Sequence, residues 1–434
     1  MAASNTFTSI DPVLKVLYKG NTVQDLIYVN NRLWAVLPKF EDFTGTKLVA
    51  PVKYGNGGGR SATFSDAQGN TAAVAFDAWE LTRVNNYAVG QITGEAIDAS
   101  SNDRGAFVRG LKAIVDAKID EFGRSLGVYA FRNGTGSLGA ITYAGTPATS
   151  FTMTVTQDAK TIEIGDALVF SAAYDYAALR AGAGVVYVVG VNAVTGVVTC
   201  AATQGGVAAD IAASVTAIAT GDHVHIKGDA HAAGSAHKQM AGLMQWMPAA
   251  APTGVIASAS NPILFMGITD RSVSNRFYGQ QLDASAYGSV EEAVIDGCSY
   301  AASLGGGEPD LFVCSPAKFR ALVKELGSKV HYEKIQAQGA AGAIAHIGFR
   351  TVVIDGDNGP VKVMADRFCP NTYGWALDTS VLSVRSIGAA PKFLMEDGNR
   401  ILRMASEDSY EFRLGFRGNM LCEAPGKNCN VTMP

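Results

Sequence analysis

Four of the six histidines fall within one short stretch: His223, His225, His231 and His237, with Asp222 and Asp229 alongside. Imidazole nitrogens and carboxylates are metal ligands, and residues two apart on a strand point the same way, so His223 and His225 could share an ion. A polar, exposed barrel edge that carries histidines by chance accounts for the same residues. Gly134-Thr-Gly-Ser-Leu-Gly139 fits the GxGxxG pattern, but a dinucleotide site needs a strand before that loop and a helix after it. Here the preceding sequence is helical and the following sequence β-like. Gly55 to Arg60 is glycine-rich but lacks the Lys-Ser/Thr of a phosphate loop. Cys200, Cys298, Cys314, Cys369, Cys422 and Cys429 form no CxxC pair, which argues against a zinc ribbon and for reduced thiols. No GxSxG and no Ser-His-Asp arrangement is recognisable. The residues offer no catalytic set and no cofactor site.

What remains is a chain of 434 residues, long enough for two to four domains. Hydrophobic residues make up 48% and charged residues only 17%, against about 25% in ordinary soluble domains. Apolar surface should therefore be plentiful, and such surface usually meets a partner. The net charge is −4 and no two Lys or Arg residues are adjacent, so no basic stripe marks a dedicated nucleic-acid binder. The first residues lack the basic-then-apolar order of a signal peptide. No apolar run reaches the ~18 residues of a membrane span.

The elements follow from periodicity. Short helical patterns begin at Asp11-Pro12 and Asn21. Residues 41–95 read as a long two-stranded excursion: Lys47 to Tyr54, a loose tip from Gly55 to Ser61 and beyond, and a return strand from Ala72 to Gln91. Such a hairpin has little core of its own and needs a neighbouring chain to lie on. Residues 101–131 read as a helix capped by Ser101 or Asn102. Phe107, Leu111, Ile114, Val115, Ile119, Phe122 and Leu126 form one face, with Arg104, Lys112, Asp116, Asp120 and Arg124 opposite. The stretch 136–255 is rich in Thr, Ala, Gly and Val. It alternates at Phe151 to Thr156, turns at Asn192 to Gly196, and twice sends a Gly-Asp turn into a strand, at Gly165-Asp166 and Gly221-Asp222. It reads as an inserted all-β, barrel-like domain. Residues 285–385 read as α/β: a helix from Val290 to Leu304 capped by Ser289, a strand Asp310 to Cys314, a second helix opened by Ser315-Pro316, a Gly/Ala loop Ala337 to Ala345, and strands Thr351–Ile354 and Val361–Ala365. Strands Ile401–Met404 and Tyr410–Phe416 follow.

Glu308-Pro-Asp-Leu-Phe-Val-Cys-Ser315, the following Pro316-Ala-Lys-Phe-Arg-Ala-Leu322, and Gly348 to Asp355 with Val361 to Pro370 resemble segments of the Hong Kong 97-type major capsid proteins of tailed bacteriophages. The linear order of elements carries most of the resemblance, which covers the chain apart from 136–255. It implies an α+β fold with an N-terminal arm (1–40), an E-loop (41–100), a spine helix of the peripheral domain (101–135), the inserted β-domain (136–255), a connection (256–284), an axial domain (285–385) and closing strands of the peripheral domain (386–434). It implies a virion shell of hexamers and pentamers assembled in the host cytoplasm, enclosing double-stranded DNA without sequence-specific binding. It implies a separate scaffolding protein in place of the archetype's N-terminal scaffolding segment. A portal and a decoration protein are further partners, and no membrane is involved. Lys47, Lys53, Gly57, Gly58, Arg60 and Trp79 of the E-loop, with Gly339 and Gly342 at the ring centre, are the expected inter-subunit contacts. The archetype's Lys–Asn crosslink would draw on Lys47 or Lys53, with non-covalent contact favoured. A cellular nanocompartment shell of the same fold and a β-rich adhesin or glycan-binding protein are the rivals.

Overall fold

The computed structural model describes residues 32–99, 110–145, 147–173, 179–180, 184–230, 237–252, 265–326, 352–356, 359–388, 392–394, 401–404 and 407–434. The helical patterns at Asp11 and Asn21, the caps at Ser101 and Asn102, His231, and the loop Ala337 to Ala345 with Gly339 and Gly342 lie outside these residues. The chain forms two compact units, each built from three separate stretches: 1–49, 80–242 and 383–421 make the first, and 50–79, 243–382 and 422–434 the second.

In the first unit the long strand Ser409–Cys422 organises a mixed sheet. Val84–Thr93 runs antiparallel along it, from Ser409 opposite Thr93 to Gly418 opposite Val84. Leu382–Ser386, Lys392–Phe393 and Leu402–Arg403 also pair with it, and Lys39–Phe40 adds in parallel to Leu382–Ser386. Gly90 is required here: a Cβ at that position would lie 2.2 Å from the Phe412 ring, which crosses it from the opposite strand. Trp34 packs edge-on to Phe416, 5.7 Å between centroids, and joins Leu33, Leu37 and Phe43 in the core.

The long helix, described from Gly110 to Phe131, buries Phe122 and Leu126 of the expected apolar face but leaves Ile119 37% exposed. Its last turns depart from a two-faced helix: residues 126–131 are buried all round, and Arg124, on the expected polar face, is only 6% exposed. The cause is the element that follows. Ser137–Thr142, Ser150–Met153, Ala167–Ser171, Val186–Asn192, Val197–Ala201 and His223–Ile226 close into a six-stranded barrel. Phe151 and Phe170 meet at 90° inside its core, with Met153, Leu168, Val198 and Val224 buried around them. The two Gly-Asp turns have the left-handed backbone that glycine permits, Gly165 at φ 96° and Gly221 at φ 95°. The strands they enter pair with each other, Val224 opposite Phe170. The alternating run at Phe151 is shorter than its sequence suggests, because Thr156–Thr161 turns into a 3₁₀ segment.

In the second unit six strands lie in the order Gln280–Asp283, Cys429–Thr432, Tyr373–Leu377, Leu311–Cys314, Gly359–Ala365, Val352–Gly356. Helix Val290–Gly305 packs on this sheet through Val290, Ala293, Val294, Cys298 and Ala301, and helix Pro316–Leu326 through Leu322. Ser289 Oγ accepts from the Glu292 amide at the start of the first helix, and Gly306, at φ 62°, ends it. The expectation that 386–434 closes a single domain is corrected: Cys429–Thr432 crosses into this sheet and pairs with Gln280–Asp283 and Tyr373–Leu377. Its residues Cys429 and Val431 are fully buried and belong to this unit's core.

The excursion is also revised. Lys47–Gly55 and Ala75–Thr82 form a two-stranded sheet, but the return strand breaks at Arg83, and Val84–Thr93 belongs to the first unit's large sheet. The tip carries a short helix, Phe64–Gly69, preceded by Thr63, whose hydroxyl donates to the Asp66 carboxylate. Thr63 makes no side-chain cap bond to a helix amide. The tip is not loose: a Cβ at Gly58 would fall 2.0 Å from the Asn70 carbonyl oxygen, and one at Gly57 2.5 Å from that of Ala72.

Candidate assembly surface

The residues expected at subunit contacts separate into two groups. Lys47, Lys53, Gly57, Gly58 and Arg60 are exposed on the excursion. Lys47 faces Glu80 across the base of the hairpin in an ion pair whose two side chains are about half exposed (52% and 41%). Trp79 is different, and its expected role at a neighbouring chain is corrected. It is fully buried in the second unit, packed edge-on to Trp246, Phe265 and Phe277, with its Nε1–H donated to the Glu423 carbonyl. Tyr54 sits on the same cluster, 5.0 Å from the Phe277 ring, and its carbonyl accepts from Arg276. The root of the hairpin is thus bound to its own chain, and the tip is open to solvent.

Sequence reasoning missed the aromatic residues that stand open to solvent at this tip. Phe64 is 84% exposed and Phe76 67% exposed, with Val49 and Val74 also open to solvent. The alternation of Lys47–Gly55, exposed at every second position, leaves Val49 on the open face. A two-stranded sheet with large apolar side chains on its surface is the type of surface that is covered in an assembly.

The histidine pair belongs to the strand that closes the barrel. His223 is half-buried, 3.3 Å from Ser137 Oγ, and His225 is fully buried, 2.8 Å from Ser171 Oγ. A bulge between Val224 and His225 shifts the register against Ser137–Thr142. The exposed-edge expectation does not hold, because both edges of this strand are paired. Among the described residues, no three His, Cys, Asp or Glu side chains gather as a metal site would need. Gly134, at φ 78°, and Gly136, at φ 80°, form the turn between the long helix and the barrel, so GxGxxG marks a buried helix-to-strand junction.

Charged side chains fix the barrel to the long helix. Arg124 donates to the Thr161 carbonyl at 2.9 Å and stands 3.4 Å from Glu163. Arg132 binds Asp158 at 2.7 Å, with both side chains nearly inaccessible. Tyr129 donates its hydroxyl to Asp229, where the chain leaves the barrel. A cavity of about 200 Å³ adjoins this joint, lined by Asn86, Glu121, Arg124, Tyr129, Asp166 and Asp229 among others. Desolvation raises the Asp166 carboxyl, and it raises Asp229 to about 6. The described cysteines are buried and unlinked, and burial pushes the Cys200 and Cys314 thiols up to about 12, far from a reactive thiolate.

The family described as SU10 major capsid protein matches residues 223–397, about two fifths of the chain. No curated protein matches in sequence. Among solved structures, the capsid asymmetric unit of cyanophage A-1(L) is similar with a TM-score of 0.50 and 10% identity, over 96% of this chain and 97% of that one. The capsid of Myoviridae phage XM1 matches with a TM-score of 0.43 and 7% identity, over 96% and 97%. Mycobacterium phage Ogopogo matches with a TM-score of 0.42 and 9% identity, over 98% of both chains. At 10% identity the likeness to the cyanophage capsid bears on the fold: a phage-capsid architecture of mixed helix and strand. The family match over 223–397 and the likeness in fold together support a major capsid protein of a phage head, a structural subunit that assembles with its own copies.

Proposed function

We propose that the chain builds an icosahedral head of hexamers and pentamers in the Hong Kong 97-type manner. The excursion Lys47–Thr82 serves as the E-loop and the helix through Phe131 as the spine. The sheet around Ser409–Cys422 is the peripheral domain, and the sheet around Leu311–Cys314 the axial domain. The barrel 137–226 is the insertion. Heterologous contacts that close into rings supply the symmetry. The observation that carries this reading is the exposed apolar tip on a firmly rooted hairpin. Phe64 and Phe76 are open in the single chain, and a neighbouring subunit's surface gives them the burial that favours association, at roughly 25 cal/mol per Å².

Lys47, Lys53, Gly57, Gly58 and Arg60 accompany that contact as its polar and close-approach residues. DNA is held by confinement: a net charge of −4 favours neither tight adhesion nor sequence reading. A scaffolding protein, a portal and a decoration protein complete the particle, which assembles in the host cytoplasm.

Electron microscopy of the purified chain, alone and co-expressed with its neighbouring genes, tests this. Closed icosahedral particles, or rings of five and six, are expected. A monodisperse monomer under every condition would refute the shell geometry.

A further inference from the structure

A second cavity, of about 390 Å³, lies in the first unit beside the joint of helix and barrel. Residues 83–87 line it in unbroken succession. Alternate side chains of a strand point to opposite faces, so consecutive residues border one cavity together only along the strand's edge. The other edge of Val84–Thr93 is the one paired with Ser409–Cys422. The facing wall is the chain just past the barrel, at Gly228, Asp229 and 237–239.

This lining is locally cationic in a chain whose net charge is −4. Arg83, His237 and Lys238 border the cavity against one carboxylate, Asp229. That carboxylate is already engaged: Tyr129 donates its hydroxyl to it and Gln239 its amide. Arg83 and Lys238 are exposed. Lys238 Nζ stands 3.3 Å from the Gly228 carbonyl, which takes one of its three donors. Such cations hold anions through charge-assisted hydrogen bonds, and the guanidinium fork suits phosphate oxygens. The cavity has room for more than a phosphate group. Tyr87, 50% exposed, puts an aromatic ring on its wall, and Asn85 adds an exposed amide. Cations beside an open ring are the combination that holds unpaired nucleotides, because every base has a π face to stack.

We propose that this cleft binds a nucleotide unit, with its phosphate on Arg83, His237 and Lys238 and its base against Tyr87. The unit is either a free nucleotide or an unpaired nucleotide of an enclosed DNA strand. The second source rests on the shell reading above; the binding itself does not. The groups contacted are common to all nucleotides, so no sequence is read.

Fluorescence anisotropy of a labelled oligothymidylate of about eight nucleotides, titrated with the full-length, unassembled chain over a range of salt, tests this. Because assembly plays no part in the measurement, failure here leaves the shell geometry to be judged by electron microscopy. Binding that weakens with salt is expected. Arg83→Ala and Lys238→Ala should each lower affinity about tenfold at low salt and flatten the slope of log affinity against log salt by about 0.7. Arg83→Lys should keep the slope. Tyr87→Ala should lower affinity about tenfold and leave the slope unchanged. Arg60→Ala, an exposed cation outside the cavity, should change nothing. Arg83, Lys238 and Tyr87 stand at the surface, so the variants should unfold at the wild-type temperature. Displacement of the oligonucleotide by AMP identifies a free nucleotide as a sufficient ligand, and resistance to AMP identifies the strand; both support the site. No binding, or a salt slope unmoved by Arg83→Ala and Lys238→Ala, would overturn it. So would inorganic phosphate competing as well as AMP while Tyr87→Ala has no effect, which marks a plain anion site. Equal competition by polyglutamate would assign the cleft to an acidic polypeptide and overturn it too.

Discussion

Trp79 meets Trp246 edge-on, 5.0 Å between ring centroids and 76° between planes, while its indole N–H is donated to the Glu423 carbonyl. This one residue binds the base of the projecting hairpin to the core of the second unit. Two substitutions within the same hairpin should therefore behave oppositely. Trp79→Ala should lower the stability of the unassembled chain by about 3–5 kcal/mol, measured by urea unfolding. Phe64→Ser, at the exposed tip, should change stability by less than about 0.5 kcal/mol. Yet it should reduce the yield of closed particles or rings in electron microscopy. Full assembly by Phe64→Ser together with Phe76→Ser would remove the tip from the proposed contact.

Among the described residues, the fully buried cation Arg271 is held by carbonyls and a ring. Its guanidinium donates to the carbonyls of Gln245, Trp246 and Phe277 and lies over Phe265, 4.6 Å from the centroid. Burial lowers its pKa to about 9, which still leaves it charged at neutral pH. Arg271→Met leaves these carbonyls without their donor and should cost on the order of 3–5 kcal/mol. Arg271→Lys should recover little, because a single ammonium cannot reach three diverging acceptors. Denaturant midpoints of the two variants check this.

The Arg132–Asp158 pair joins the helix to the barrel with both side chains about nine-tenths buried. Arg132→Ala strands a carboxylate and should destabilise by about 3–5 kcal/mol. The double variant Arg132→Ala, Asp158→Ala should be less unstable than the single one. A double-mutant cycle of thermal unfolding measures the coupling, and simple additivity would count against a buried pair.

Helix Val290–Gly305 is closed at both ends by local chemistry. Ser289→Ala should cost about 1 kcal/mol through the lost acceptor for the Glu292 amide. Gly306→Ala should cost a similar amount, about 1 kcal/mol, since its φ of 62° strains any side chain. Urea midpoints with unchanged slope would confirm both as local effects.

These ends also show how far the sequence could be read. Ser289, the glycines after Leu304, Ser315-Pro316 and the paired Gly-Asp turns mark boundaries because each acts through its own backbone angles or a hydrogen bond within four residues. The candidate contacts were less legible. Glycine-rich text at 55–61 suggested a loose tip, but Gly57 and Gly58 are there so that the chain can pass close to Ala72 and Asn70. Trp79 looked like a surface aromatic because its partners, Trp246, Phe265 and Phe277, are more than 160 positions away.

By itself, then, the sequence determined the main strands and helices of the described residues, the presence of a β-rich block after the long helix, and a composition suited to burial between copies. The tertiary structure alone decided which of those segments meet. It paired the two Gly-Asp strands in a closed barrel, turned Arg124 from a polar face into a docking group, and carried Cys429–Thr432 across to the other sheet. The physical reason is that periodicity and caps are local, whereas strand partners are selected by the burial of whole faces, a property of distant residues together.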